Sequence, residues 1–239
     1  MSTRAPENTL AAFELIARDG VSGIELDIHQ CATGELVVIH DDTLTRTAGV
    51  ALKIREAGLD AIREHEVGSW FGPRFTGEKV PTLTEVFELL GRRVVYDIEI
   101  KPYGKYWGPP APGGTETTLD ALIRHHGLAD RCIVSSFDPF VLRRFARLAT
   151  EIPAALIYTN TSNVPITVRH GRGRLFCRPD ILKPYHADVT ERFVRRRKAR
   201  GRQVIPWTVG EPDEARRLSA AGVDGLISNV PDLIQSALT

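Results

Sequence analysis

Two short segments constrain this chain more than any other feature of it. In Gly23–Gln30, the apolar residues Ile24, Leu26 and Ile28 alternate with Glu25, Asp27 and His29. In Val94–Lys101, the residues Val94, Tyr96, Ile98 and Ile100 alternate with Val95, Asp97, Glu99 and Lys101. Successive side chains of a strand point to opposite faces, so each segment has one apolar face and one face bearing ionisable groups. Burying a charge without a partner costs several kcal/mol or more. Two strands that both do this on matching faces call for a bound cation, or for a wet active site at the mouth of a barrel. The alternative is an antiparallel sheet with one solvated face. That arrangement predicts Thr, Ser, Lys and Glu mixed along the polar face, whereas the carboxylates dominate here.

The rest of the chain supplies a frame for such strands. Further strand candidates are Leu36–His40, Cys132–Ser136, Ala154–Tyr158, Ile181–Lys183, Val204–Val209 and Gly225–Ser228. Helix candidates are Pro6–Asp19, with Pro6 at its first position, and Leu83–Leu90, with Thr82 and Glu85 as a capping box. Others are Thr117–His126, Pro139–Leu148, Thr190–Arg200 and Pro212–Ala220. Alternation of this kind implies a parallel sheet with helices outside it. The 239 residues suit one (β/α)₈ barrel of about 250 residues. The excursion at about 44–81, with a helical signal at Ile54–Glu64, reads as an insertion within a single domain spanning 1–239.

Composition excludes several classes of function. Hydrophobic residues make up 42% and charged residues 26%, with a formal net charge of +1, so bulk charge does not call for nucleic acid. No apolar run approaches the roughly 20 residues that span a bilayer, and Met1–Asn8 has no signal-peptide pattern, which suggests a cytoplasmic protein. Cys31, Cys132 and Cys177 are odd in number, fit no zinc spacing, and read as reduced thiols. The basic run Arg192–Arg202 reads as a solvated helix end, with binding to anionic lipid headgroups as the sharper alternative. His65, His170 and His186 show no partner pattern.

The segment after the first acidic strand adds a candidate acid or base. Thr33-Gly34 is a plausible two-residue turn, and in that register His40 faces Asp27 while Asp42 faces Glu25. A slip of one residue would send His40 to the other face. Glu25, Asp27 and Glu99 then form an oxygen-only ligand set, which suits Mg²⁺, Ca²⁺ or Mn²⁺ better than zinc. An imidazole beside it is suited to proton transfer near neutral pH. Lys101 is a natural phosphate contact, and the constellation points to metal-assisted phosphoryl transfer.

Eight motifs in order carry a resemblance. They are Ala5-Pro6-Glu7-Asn8-Thr9 with its following helix, Gly23-Ile24-Glu25-Leu26-Asp27, Val38-Ile39-His40-Asp41, and Gly68-Ser69-Trp70-Phe71-Gly72 with Val80-Pro81-Thr82-Leu83. Ile98-Glu99-Ile100-Lys101, Ser135-Ser136-Phe137, Pro206-Trp207-Thr208-Val209 and Val223-Asp224-Gly225-Leu226-Ile227-Ser228-Asn229 complete the set. Together they resemble the glycerophosphodiester phosphodiesterases. The resemblance implies an α/β fold, a (β/α)₈ TIM-type barrel of the phosphatidylinositol-phosphodiesterase-like kind. It also implies metal-dependent hydrolysis of a small glycerophosphodiester to an alcohol and glycerol 3-phosphate. By motif match, Glu25, Asp27 and Glu99 would hold the divalent cation, Mg or Ca with Mn as a further candidate. His40 would be one of two acid/base histidines, Lys101 would contact phosphate, and Phe137 and Trp207 would line the pocket beside the glycerol.

The same resemblance implies a His-Arg-Gly run on a first barrel strand just before the segment 2–9. Met1 stands where that strand should end, so an upstream start or a trimmed chain is expected. Without that strand, seven of eight barrel strands remain, and low stability and little activity are expected. Tyr103, Tyr106 and Trp107, in the Gly- and Pro-rich stretch after Lys101, are candidates to cap the substrate's alcohol. Two other readings stay open: a lysophospholipase D-like hydrolase of lipid diesters, and a non-catalytic remnant or binding protein.

Overall fold

In the computed structural model, residues 2–102, 114–161 and 169–239 are described. They fall into two compact units, one of residues 2–102 with 114–132 and one of residues 133–161 with 169–239. Tyr103, Tyr106 and Trp107 lie outside the described residues.

The first unit begins with helix α1, Leu10–Asp19. Its start is Thr9, whose hydroxyl accepts from the Ala12 N–H at 3.3 Å. Pro6 therefore lies ahead of the helix and not at its first position. The Pro6 carbonyl instead accepts from the Thr9 hydroxyl at 2.8 Å, so the proline ends the lead-in turn. Strand β1, Gly23–Gln30, follows, and then β2, Leu36–Val38. Next come the short helices α2, Thr45–Ala48, and α3, Leu59–Glu64. Helix α4, Leu83–Leu90, starts with the capping box of Thr82 and Glu85. Strand β3, Val95–Ile100, and helix α5, Thr115–His125, complete the unit.

Strand β1 pairs parallel with β3, so that Glu25 stands beside Asp97 and Asp27 beside Glu99. Ile24, Leu26, Ile28, Tyr96, Ile98 and Ile100 are all buried, as the apolar face requires. Strand β2 is antiparallel to β1. The excursion at 44–81 packs directly onto this hairpin: Leu44, Ile54, Ile62, Val67 and Val80 share a cluster with Cys31, Val37 and Ile39. Each such side chain contributes roughly 1.5–3 kcal/mol on full burial. The Val38 N–H donates to the Pro81 carbonyl at 2.8 Å, which ties the end of the excursion back to β2.

The hairpin register differs from the sequence-based expectation by one residue. The pairs are Ile28 with Val38, His29 with Val37 and Gln30 with Leu36. The Cys31 N–H donates to the Glu35 carbonyl and the Gly34 N–H to the Cys31 carbonyl, both at 3.0 Å. The loop is thus Ala32-Thr33-Gly34, three residues long, with Gly34 at φ +104°. Three-residue hairpins place their last residue in this region, and glycine accepts it without strain.

The second unit takes up β4 (Cys132–Ser136) from Ile133 on, and α6 (Pro139–Leu148), β5 (Ala154–Tyr158), α7 (Arg174–Cys177) and β6 (Ile181–Pro184) follow in order. After them come α8 (Glu191–Lys198), β7 (Gln203–Val204), α9 (Pro212–Ala220) and α10 (Pro231–Leu238). Strands β4 to β7 pair in sequence, all parallel. Two expected strands are curtailed. The segment Val204–Val209 is a regular strand only at its start, although the Ile205 and Trp207 N–H groups still donate to the Leu182 and Pro184 carbonyls of β6, and Gly225–Ser228 is not a strand. A ladder survives in part: the Asp224 N–H donates to the Val204 carbonyl, Ile227 to Pro206, and Val209 to Ile227. Pro206 has no N–H to donate, and that interrupts the regular pattern here.

Candidate active site

Three carboxylates converge where β1 and β3 run side by side. Glu25, Asp27 and Glu99 each offer a ligand oxygen, and these atoms lie within 4.8 Å of one another. Parallel pairing of Asp27 with Glu99 produces this directly, since Cα partners on neighbouring strands share a face. Asp97 lies on the same face and is buried, but it stands outside the ligand cluster.

Lys101 reaches the middle of this cluster. Its Nζ lies 2.8 Å from Asp27 Oδ1 and 2.8 Å from Glu99 Oε1. Burial works against charging the ammonium, but the Glu99 and Asp27 carboxylates hold its pKa above the ordinary lysine value. Burial also pushes the Asp27 carboxyl up; Lys101, His40 and Asn8 outweigh that push and hold it below the usual carboxylate range. Three carboxylates and one ammonium leave an excess of negative charge on a buried face. All-oxygen ligands in such a field fit a hard divalent cation, and these residues could hold one.

Asn8 clamps the same aspartate from the other side. Its Nδ2 donates to Asp27 Oδ2 at 2.9 Å, and its Oδ1 accepts from the Asp27 N–H at 3.4 Å. Its φ is +56°, a conformation that asparagine tolerates better than most residues. Asn8 belongs to the motif Ala5-Pro6-Glu7-Asn8-Thr9 but has no role assigned from the sequence. The readable signal was an Asn placed directly before a Thr helix cap.

The one-residue register difference bears on His40. The Ile39 N–H donates to the Asp27 carbonyl at 3.0 Å, so Ile39 and not His40 faces Asp27. Asp42 is likewise displaced: its carbonyl accepts from the Ile54 N–H at 3.0 Å. Continued as a strand, β2 would turn His40 to the apolar face. It does not continue, because β2 ends at Val38. The imidazole stays within electrostatic reach of Asp27 and lowers its pKa, and its side chain is 55% exposed.

The ring of His40 is held by a chain of charges. Asp41 Oδ1 lies 2.7 Å from His40 Nδ1. Arg46 donates through Nε to Asp41 Oδ2 at 2.7 Å and through NH2 to Glu7 Oε1 at 2.5 Å. The hydrogen bonds from Arg46 hold the Asp41 carboxyl below its usual range despite partial burial. A carboxylate on Nδ1 selects the tautomer that leaves Nε2 for chemistry. Asp41, Arg46 and Glu7 carry no sequence signal for this role beyond the adjacency of His40 and Asp41.

His29, on the polar face of β1, takes no part in the carboxylate cluster. It is buried, with Nε2 3.2 Å from the His40 carbonyl and Nδ1 accepting from Arg55 Nε at 3.3 Å. Burial, with the Arg55 charge, lowers its pKa to about 4. It is a neutral structural partner of the His40 backbone.

In the second unit, Phe137 and Trp207 come together. Their ring centroids lie 5.6 Å apart, edge to face, and Trp207 Nε1 donates to the Lys183 carbonyl at 2.9 Å. Lys183 is itself buried and donates to Ser135 Oγ at 3.1 Å. His186 has a partner that the sequence did not reveal: its Nδ1 lies 2.7 Å from Glu214 Oε1. Among the described residues all three cysteines are buried and none is in a disulfide.

A sequence model of the glycerophosphoryl diester phosphodiesterase family matches residues 1–233. A glycerophosphodiester phosphodiesterase of Caldanaerobacter subterraneus subsp. tengcongensis is 34% identical over 234 residues, which cover 98% of this chain and 92% of the relative. Among solved structures, an Oleispira antarctica phosphodiesterase in complex with the product sn-glycerol-3-phosphate superposes with a TM-score of 0.84 at 28% identity, covering 98% of this chain and 92% of that one. A glycerophosphodiester phosphodiesterase from Agrobacterium tumefaciens superposes at 0.78 and 26% identity, covering 98% and 94%. The fold is therefore the α/β, (β/α)₈-type barrel of these proteins.

Proposed function

The chain belongs to the glycerophosphoryl diester phosphodiesterase family, and from that premise we propose how its residues divide the work. The reaction is hydrolysis of a glycerophosphodiester to an alcohol and glycerol 3-phosphate. Glu25, Asp27 and Glu99 hold a divalent cation, Mg²⁺ or Ca²⁺ in the first instance and Mn²⁺ as a further candidate. The observation that carries this reading is the convergence of these three carboxylate oxygens within 4.8 Å, with Asp27 and Glu99 buried and Glu25 half-buried. When bound, the ion supplies Lewis-acid stabilisation of charge on the phosphoryl oxygens.

The chain's own groups supply the remaining tasks. Lys101, held between Asp27 and Glu99, offers a fixed positive charge to the phosphate. Asn8 and Lys101 together fix the orientation of Asp27. His40, with Nδ1 anchored on Asp41, moves a proton through Nε2 as general acid or base. Phe137 and Trp207 form an apolar wall beside the glycerol. The family match over residues 1–233 supports reading the chain as one domain, with 44–81 as an excursion.

The test is release of glycerol 3-phosphate from glycerophosphocholine by this chain with Mg²⁺ or Ca²⁺, beside release of lysophosphatidic acid from lysophosphatidylcholine. Preference for glycerophosphocholine supports the reading. Preference for the lysolipid would move the enzyme to the lipid-active class, and inactivity on both substrates would contradict the proposal.

A further inference from the structure

The basic run at the end of α8 is not uniformly a solvated helix face. Arg195 is exposed and pairs within the helix, 3.2 Å from Glu191. Arg197 turns the other way. Its guanidinium lies 5.0 Å from the centre of the Phe193 ring, and its Nε is buried without a hydrogen-bond partner. Arg197 lines a pocket of about 210 Å³ with Arg174, Arg200, Arg202, Pro179 and Leu182.

These arginines arrive from three separate segments. Favourable interaction with the C-terminal dipole of α8 accounts for cations in its last turn. It does not account for Arg174 on α7, nor for Arg202 just before β7. Both of these are braced by the backbone: Arg174 NH1 donates to the Gly171 carbonyl at 2.7 Å, and Arg202 NH1 donates to the Pro179 carbonyl. Among the described residues, the one carboxylate within 4.0 Å of the four guanidiniums is that of Asp180, at 4.0 Å from Arg202. Burial and the charges of Arg174, Arg200 and Arg196 lower the pKa of Arg197, so the cluster repels itself as it stands.

We propose that this pocket binds a phosphate dianion, either free or as a small phosphomonoester, at a site built from residues other than those of the carboxylate cluster. Guanidinium groups match phosphate oxygens in charge and in fork geometry. The volume lies below the roughly 300–1,000 Å³ of pockets for drug-sized ligands, which suits a phosphate with a short organic stub against Leu182 and Pro179. An anion here would satisfy the Arg197 Nε and relieve the repulsion among the four cations.

Calorimetric titration of the full chain with inorganic phosphate and with glycerol 3-phosphate, at constant ionic strength set by chloride, tests this. The variants are R197Q, R200Q and K101M. The expected result is phosphate binding that K101M retains and that R197Q weakens by about tenfold or more, the scale of a lost charge-assisted contact. R200Q alters an exposed side chain, so it reports on the pocket even if R197Q fails to fold; it should weaken binding in the same direction. Binding that is equal in R200Q and wild type, or that disappears in K101M alone, would overturn the proposal. Sedimentation with phosphatidic acid vesicles, against phosphatidylcholine vesicles, separates the sources. Vesicle binding that needs Arg200, without binding of the free anions, would assign the phosphomonoester to a lipid headgroup.

Discussion

Asp41 Oδ1 lies 2.7 Å from His40 Nδ1, and the same carboxylate is held on its other oxygen by Arg46. This pairing fixes the imidazole of an otherwise exposed histidine. Removing a general acid or base typically lowers turnover by about 10²–10⁴-fold, so H40A should show a loss in that range. D41N leaves the imidazole in place but weakens its anchor. It should lower kcat by about tenfold or more with KM little changed, measured as steady-state hydrolysis of glycerophosphocholine. An unaltered kcat in D41N would separate Asp41 from catalysis.

Lys101 stabilises the metal-free protein by neutralising Asp27 and Glu99. Removing one partner of a buried ion pair costs about 3–5 kcal/mol. K101M should therefore lower the melting temperature in EDTA. A divalent cation that binds the folded state alone raises stability by mass action, so Mg²⁺ or Ca²⁺ should raise the melting temperature of K101M more than that of wild type. Thermal unfolding with and without metal checks this.

Gly68 explains one of the quoted motifs in steric terms. A Cβ at this position would meet the Phe75 carbonyl oxygen at 2.0 Å. G68A should destabilise the chain by about 1–3 kcal/mol, the usual cost of forced overpacking. Chemical denaturation measures it directly.

Glu214 gives a pH signature. The hydrogen bond from Arg217, with His186 on the same carboxylate, lowers its pKa from 4.5 to about 2. A carboxylate depressed on folding stabilises the protein above its unfolded pKa, and that stability is lost as pH falls through the folded value. Wild type should exceed E214Q in stability by a constant margin above about pH 4.5, and the margin should shrink between there and pH 2. The group lies near the surface, so the margin is small and diminishes with salt. Stability measured against pH for both proteins tests the sign.

Much of the site was legible because strand periodicity is rigid. Once Gly23–Gln30 and Val94–Lys101 are strands, alternation alone puts Glu25, Asp27, Glu99 and Lys101 on one kind of face, and parallel pairing brings them together. The position of His40 was harder. Thr33-Gly34 reads as a two-residue turn, but the chain uses three residues with Gly34 at the left-handed position, a choice that packing of the excursion onto β2 helps to fix. The outer members of the charge chain behind His40 were hidden for another reason. Arg46 and Glu7 are 39 residues apart and meet through tertiary structure. The curtailed strand after Val204 was readable in principle from Pro206, but strand propensity around it carried more weight. Helix α10, Pro231–Leu238, was missed although Pro231 opens it.

The central claim is that Glu25, Asp27 and Glu99 hold a divalent cation. Calorimetric titration of the chain with Mg²⁺ and with Ca²⁺, beside E25Q, D27N and E99Q, tests it without depending on turnover. The account predicts saturable binding of one ion per chain, weakened by about tenfold or more in each variant. Equal affinity in the wild type and all three variants, or no binding in the wild type, would contradict it.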